Sequence, residues 1–257
     1  MPVKTINRLK YRHVYFCVAG HILKSYTTRM LASIRPSLPL LYLGNCLDIL
    51  PTLPDESVDL IITDPPYGIN YLSRSHSLPL TKIANDKASE AYSLLDKVLA
   101  IAQRKLKPDR HIYIFTNWQA FEGMAPVVRK YFKLKGALAW IKNNRTRGDL
   151  KGNYGYQYEM VLYAHKGRRW LQGKRDSDVL QFKKVPTQAM QHPTEKPVAL
   201  LKYLIEKSTM PGEVVFDPFM GSGSTGEAAQ ESGRRFLGIE MEPVWFAVAK
   251  KRLEQSA

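Results

Sequence analysis

An α/β fold with a doubly wound, mostly parallel sheet is expected from three features of this sequence. Short apolar runs rich in β-branched residues alternate with helix-length amphipathic segments from Leu40 to Leu253, the pattern of strands joined by crossover helices. One run, Val58-Asp59-Leu60-Ile61-Ile62-Thr63, is apolar enough to lie buried on both faces, as parallel strands do. A third segment, Val214-Val215-Phe216, passes through a glycine-rich turn straight into a helical pattern. Doubly wound sheets use that join at their ligand crevice.

Taken in order, Leu40–Leu43 reads as a strand, followed by Gly44-Asn45-Cys46 and a short helix at Leu47–Leu50. Val58–Thr63 is the next strand and runs into Asp64-Pro65-Pro66-Tyr67, so a functional loop belongs at its C-terminal end. Ser73–Lys87 is polar and reads as loop. Glu90–Leu106 carries Leu94, Leu95, Val98, Leu99, Ala102 and Leu106 at helical spacing and is expected to stop ahead of Pro108. His111–Thr116 is a strand, Gln119–Tyr131 a helix, and Ala137–Lys142 and Tyr158–Ala164 two further strands. Outside Tyr158–Ala164, residues 142–184 show no clear periodicity. A helix over Val198–Ser208 is begun by Pro197 at a favourable first-turn position. Val214–Phe216, Thr225–Glu231, Phe236–Ile239 and Trp245–Leu253 complete the alternation as strand, helix, strand and helix.

The 257 residues suit one α/β domain with a modest insertion. Lysine and arginine total 38 against 23 acids, a formal charge of +15 that favours a polyanionic partner, nucleic acid first. Two cysteines, Cys17 and Cys46, cannot build a disulfide framework, so a reduced, cytoplasmic setting is expected. The histidines and cysteines lack ligand spacing, and no metal is expected. No apolar run approaches the roughly 20 residues that span a bilayer, so no membrane partner is expected. Residues 1–39 stand apart, with seven cations and no acid. They read as a basic extension outside the folded domain 40–257. Met30 is an alternative start, and residues 1–29 are expected to be dispensable for catalysis.

Two motifs carry chemistry. Gly221, Gly223 and Gly226 satisfy G-x-G-x-x-G after a strand, and Glu240 lies at the end of the next strand, where a ribose-binding carboxylate belongs. NAD, FAD and S-adenosylmethionine all carry an adenosine that would suit this pattern. Asp217-Pro218-Phe219 just ahead of the glycines repels phosphate and suits an α-ammonium, which favours S-adenosylmethionine. In Asp64-Pro65-Pro66-Tyr67, two prolines remove donors and aim carbonyls as acceptors. Asp64 adds a carboxylate and Tyr67 an aromatic face. Together they describe a pocket for a planar ring bearing an NH₂, whose delocalised lone pair is freed when two acceptors hold its hydrogens.

These residues resemble the amino-methylating DNA methyltransferases, in the circularly permuted order in which the catalytic segment precedes the cofactor segment (the β class). The resemblance covers roughly Leu40 to Leu253. It rests on Asp64-Pro65-Pro66-Tyr67-Gly68, His192-Pro193-Thr194-Glu195-Lys196-Pro197, Phe216 to Thr225, and Gly238-Ile239-Glu240, four motifs in one fixed order. It implies a Rossmann-like methyltransferase fold with a small DNA-recognition insertion, and S-adenosylmethionine turned over to S-adenosylhomocysteine without a metal. It also implies transfer to the N6 amino group of adenine in double-stranded DNA after base flipping. Asp64 and the Pro65 carbonyl, with Pro66, would hold the amine, and Tyr67 would stack on the base. Asp217, Phe219, Gly221, Gly223, Ser224 and Thr225 would line the cofactor pocket, and Glu240 would hold the ribose. Thr194 and Lys196 would approach the methionine carboxylate. Asn45 and Cys46 stand where the family often has an acid near the adenine; Asn45 departs from that pattern. The resemblance also suggests a homodimer, since family members often pair, and leaves room for a cognate restriction endonuclease.

Basic stretches around 143–156 and 166–191 are candidates for DNA contact, through Arg145, Arg147, Lys151, Arg168, Arg169, Lys174 and Arg175, with the loop Ser73–Asn85 a second candidate. An N4-cytosine methyltransferase, a catalytically inactive DNA-binding relative, and an NAD-linked oxidoreductase are the alternatives. The last leaves the proline pair unexplained.

Overall fold

A computed structural model describes residues 16–17, 39–68, 88–145, 151–186, 188–192 and 194–255. Met30, nearly all of the basic extension, the loop 73–85, Arg147 and Pro193 lie outside the described residues. The strands are β1 (Phe16–Cys17), β2 (Leu40–Leu43), β3 (Val58–Thr63), β4 (Leu106–Thr116), β5 (Lys133–Ile141), β6 (Tyr158–Lys166), β7 (Val179–Gln181), β8 (Val214–Asp217) and β9 (Arg235–Glu240). The helices are α1 (Cys46–Ile49, continued by a 3-10 turn), α2 (Ala88–Lys105), α3 (Trp118–Tyr131), α4 (Val198–Ser208), α5 (Ser224–Glu231) and α6 (Pro243–Gln255).

The strands form one sheet in the order β1-β2-β9-β8-β3-β4-β6-β5-β7. Among the described strands β6 alone runs against the rest, antiparallel to both β4 and β5. The centre of the sheet follows from composition: all six residues of β3 are buried, as its continuous apolar run requires. Alternation along β4 sends Ile112 and Ile114 to one face and Tyr113 and Phe115 to the other. Leu95, Val98, Leu99 and Ala102 of α2 and Met124 and Val128 of α3 cover the first face. Leu200, Leu201, Leu204 and Ile205 of α4, with Ala228 of α5 and Leu253 of α6, cover the second. Each fully buried leucine or isoleucine contributes about 1.5–3 kcal/mol relative to its exposed state.

This layering creates the crevice. From β3 the chain crosses by α2, over the first face, to β4 on one side. From β8, the other neighbour of β3, it crosses by α5, over the second face, to β9 on the opposite side. The carboxyl ends of β3 and β8 therefore part at a topological switch point, where doubly wound sheets bind ligands.

Three expectations are corrected. Pro108 does not separate α2 from the following strand: α2 ends at Lys105 and β4 starts at once at Leu106. The proline is tolerated because the register jumps there, Val58 pairing Leu106 but Leu60 pairing His111, with Asp109 turned to φ +54°. The stretch after β6 holds a strand that periodicity did not reveal. β7 pairs in parallel with Ala139–Ile141, but it has three residues, of which only Leu180 is buried. Pro197 is the N-cap of α4 (φ −63°, ψ 129°) and not a residue of its first turn.

Candidate active site

A cavity of about 750 Å³ opens at the carboxyl ends of β2, β3, β8 and β9, well within the roughly 300–1,000 Å³ of small-molecule sites. Asp64-Pro65-Pro66-Tyr67 enters it from β3, Asp217 to Gly221 from β8, and Glu240 from β9. Cys46 of α1, Ser224 and Thr225 of α5, and Thr194 and Lys196 from the approach to α4 complete the set. Residues more than 170 positions apart in the chain thus share one cavity.

On the β8 side, the buried carboxylate of Asp217 ties the two strands and α5 together. Its Oδ1 accepts from the Thr63 hydroxyl at 2.8 Å and from the Phe219 N–H at 3.0 Å, and its Oδ2 accepts from the Thr225 hydroxyl at 2.8 Å. Burial pushes its pKa up to about 7 against the pull of those donors. Glu240 is fixed by N–H groups, Gly221 donating to Oε2 at 2.9 Å and Glu242 to Oε1 at 2.8 Å. Its carboxyl is also raised by burial, tempered by those bonds. Gly223 lies off the cavity lining. Its φ of +82° caps α5, and an added Cβ would stand 3.0 Å from the Ala249 Cβ. Gly226 likewise serves packing, since a Cβ there would come within 2.7 Å of Phe236. Of the three fingerprint glycines only Gly221 faces the cavity. Asn45 caps α1 through Leu47 N–H at 3.0 Å. Burial pushes the neighbouring Cys46 thiol up to about 12, which makes it unreactive.

On the β3 side, the carboxylate of Asp64 accepts from the Tyr67 hydroxyl at Oδ1 and from the Lys196 ammonium at Oδ2. Burial raises its pKa, Lys196 opposing the rise and Glu159 adding to it. Lys196 therefore stands against Asp64 rather than out toward the glycine turn, and its Nζ also donates to the Thr194 carbonyl at 3.3 Å. Burial works against its charge, but Asp64 and Glu159 outweigh that and hold its pKa above the ordinary lysine value. The Thr194 hydroxyl is engaged with Nδ1 of His192 at 3.1 Å.

Glu159, at the cavity end of β6, escaped the sequence reading. It lies 3.5 Å from Lys196 and also pairs with Lys142. A lone acid in an apolar strand was the available signal, but only the antiparallel return of β6 brings it to the cavity. The contact of Arg252 with Glu195, which anchors the 191–196 segment to α6, joins positions too distant for any sequence signal.

The basic segments divide between two ends of the molecule. Arg145 and Lys151 lie in the β5–β6 connection, closed at the cavity end by Lys142 N–H to the Gln157 carbonyl at 2.8 Å. Lys184 itself lines the cavity. The segment 167–176 lies instead at the amino ends of the parallel strands. Arg169 pairs with Glu213, just ahead of β8, at 2.7 Å, and its carbonyl meets His111 at 3.1 Å. Arg168 covers the Trp170 ring at 4.6 Å while its N–H donates to Asp109. The Lys174 carbonyl accepts from Lys207 in the last turn of α4, and Lys207 also pairs with Asp176, next to Arg175. Arg168, Arg169 and Lys174 therefore lie with partners at the opposite end of the sheet from the cavity.

A family model described as DNA methylase, covering N6 and N4 enzymes, matches residues 58–251, most of the chain and both halves of this cavity. The chain belongs to the N6/N4 DNA methylase family. Among its relatives in this family is the type II methyltransferase M2.DpnII of Streptococcus pneumoniae, 33% identical over 77% of this chain and 83% of the relative. Another is the DNA adenine methyltransferase YhdJ of Escherichia coli K12, 31% identical over 82% and 81%. The crystal structure of the M1.HpyAVI–SAM complex superposes with a TM-score of 0.65 at 28% identity, over 83% of this chain and 98% of the other. PvuII DNA methyltransferase, named as cytosine-N4-specific, shares the fold at 19% identity with a TM-score of 0.68, over 84% and 89%. The methyltransferase fold inferred from the motifs is thus the fold of this N6/N4 family member. Among the described residues no helix is long and apolar enough to cross a membrane, and no cluster of three or more His, Cys, Asp or Glu could hold a metal.

Proposed function

We propose that this enzyme transfers a methyl group from S-adenosylmethionine to the N6 amino group of adenine in double-stranded DNA, with the base turned out of the duplex and no metal taking part. The observation that carries this is the meeting of the Asp64-Pro65-Pro66-Tyr67 loop and the Asp217–Gly221 turn in one cavity. The donor set suits the cofactor. Glu240, held by N–H groups on each oxygen, keeps lone pairs for a ribose diol, and Asp217 offers a carboxylate for an α-ammonium. When bound, the cofactor supplies an electrophilic methyl group on a sulfonium.

The residues do the rest. Asp64 and the Pro65 carbonyl accept the two amine hydrogens, drawing the nitrogen toward tetrahedral geometry and freeing its lone pair. Tyr67 presents a ring face to the extruded base, whose unstacking costs a few kcal/mol. As the nitrogen gains carbon it must lose a proton, and Asp64, with its carboxyl raised by burial, is placed to take it. The relative YhdJ, named as acting on adenine, and the aspartate at the head of the tetrapeptide favour adenine over cytosine. The amine chemistry is common to both.

Two measurements test the reading. S-adenosylmethionine at a hundred times its Kd should stabilise the protein by about 2.7 kcal/mol while NAD gives no protection. Equal protection by NAD would point to an oxidoreductase. Expression in a methylation-free bacterial host, followed by single-molecule sequencing, should reveal N6-methyladenine in one short motif. N4-methylcytosine there would replace the base assignment and leave the chemistry standing.

A further inference from the structure

Glu159 is a half-buried charge with one buried oxygen. One of its oxygens is engaged by Lys142, while Oε2 is buried with no hydrogen-bond partner. A carboxylate oxygen held only by a long ion pair costs stability unless a closer contact forms. That long partner of Oε2 is Lys196 Nζ at 3.5 Å, whose ammonium currently rests on Asp64. Lys196 is only 6% exposed and sits over the rings of Phe115 and Tyr67, so its ammonium stays close to the two carboxylates. It has two carboxylates and one small arc of movement between them. A charge-assisted contact forms at roughly 2.7–2.9 Å, so closing on Glu159 takes less than one ångström of travel.

We propose that Glu159 is a positioning residue for methyl transfer: it receives the Lys196 ammonium when the target amine enters and so releases Asp64 to act as acceptor. This rests on the function proposed above. An Asp64 carboxylate bound tightly by an ammonium is a weak acceptor for a neutral amine and a weak proton acceptor after transfer. Moving the ammonium to Glu159 restores both capacities without changing the net charge of the cluster Asp64, Glu159, Lys196 and Lys142. Tyr67 donates to the other Asp64 oxygen and holds its pKa down equally before and after the lysine moves. Lys142 holds Glu159 in place from the strand that leads to Arg145, so the acceptor is fixed before the lysine moves.

The test is Glu159→Gln in the full chain, assayed on DNA carrying the mapped motif. The amide keeps the shape but cannot draw the ammonium away, so kcat should fall roughly ten- to hundredfold with S-adenosylmethionine binding unchanged. Removing the Glu159 charge also lowers the Asp64 pKa, so the acid limb of the kcat–pH profile should move to lower pH as the plateau drops. In a Lys196→Met background the same change should cost no further activity, since Glu159 acts through Lys196. Wild-type kcat and an unmoved acid limb in Glu159→Gln, or an equal additional loss in the Lys196→Met background, would overturn the proposal. Should Glu159→Gln not fold, Glu159→Gln with Lys142→Met removes the orphaned charge as well and is read in the same way. Failure of the underlying function shows elsewhere, as a wild-type enzyme that methylates no DNA.

Discussion

Asp64, partly exposed, and Asp217, buried, both stand at strand ends, yet their partners differ. Asp64 faces side-chain donors, a tyrosine hydroxyl and a lysine ammonium, and in the proposed reaction it is the acceptor for the amine. Asp64→Ala should lower methyl transfer by roughly 10²–10⁴-fold while leaving S-adenosylmethionine binding, followed by calorimetry, close to wild type; strong residual turnover would remove its amine-holding role. Asp217 faces fixed donors and pays for its burial. Its folded pKa of about 7 exceeds the ordinary 3.8, so the folded state holds the proton more tightly. The stability this contributes is complete below about pH 4 and is lost as pH rises through 7. Asp217→Asn should therefore gain stability over wild type between pH 4 and 8, by an amount on the order of a few kcal/mol, in urea unfolding across pH. It should also bind cofactor more weakly, because the ammonium loses its counter-charge. A flat difference between the two stability curves would mean that Asp217 is ionised throughout.

At the scale of elements, the glycine turn spends its special residues unequally. Gly221 faces the cavity, whereas Gly223 lets α5 begin in a left-handed conformation against the α6 backbone. Gly223→Ala should destabilise the protein by about 1–3 kcal/mol, read as a lower urea midpoint with an unchanged slope; a neutral substitution would mean that α6 gives way easily. Element boundaries were legible wherever the hydrophobic pattern was long. β2, β3 and α4 stand where the sequence puts them because their apolar residues are continuous or helically spaced over four to eleven positions. β7 was not legible because three residues carry no period, and its pairing with β5 is set by chain return. The early start of β4 was not legible either, because a bulge absorbs the proline that otherwise marks an end.

For the whole molecule, the described cations of the basic segments 143–156 and 166–191 divide between two ends of the sheet. Lys184 lines the cavity and Arg145 and Lys151 belong to the β5–β6 connection, whereas Arg169 is bound to Glu213 at the far end of the strands. Replacing Arg145 and Lys151 by Gln should weaken DNA binding and flatten the salt dependence by roughly 0.9 per lost phosphate contact. Arg169→Gln should leave that slope unchanged and instead lower the melting temperature slightly, because Glu213 loses one of its two arginine partners and keeps Arg110. A salt slope that responds to Arg169 and not to Arg145 would move the DNA face to the amino ends.

Chemistry in this protein was written locally. Asp64-Pro65-Pro66-Tyr67 and Asp217 to Gly221 are short, contiguous and bound to strand ends, so residue type and order alone determined the family, the fold and most of the cavity wall. Partnership was decided only by the tertiary structure. That Lys196 leans on Asp64, that Glu159 waits beside it, and that Arg169 serves a distant ion pair all depend on which strands return antiparallel and which ends of the sheet they reach. Charge acts through space across a few ångströms, and the distance along the chain between these groups carries no trace of it.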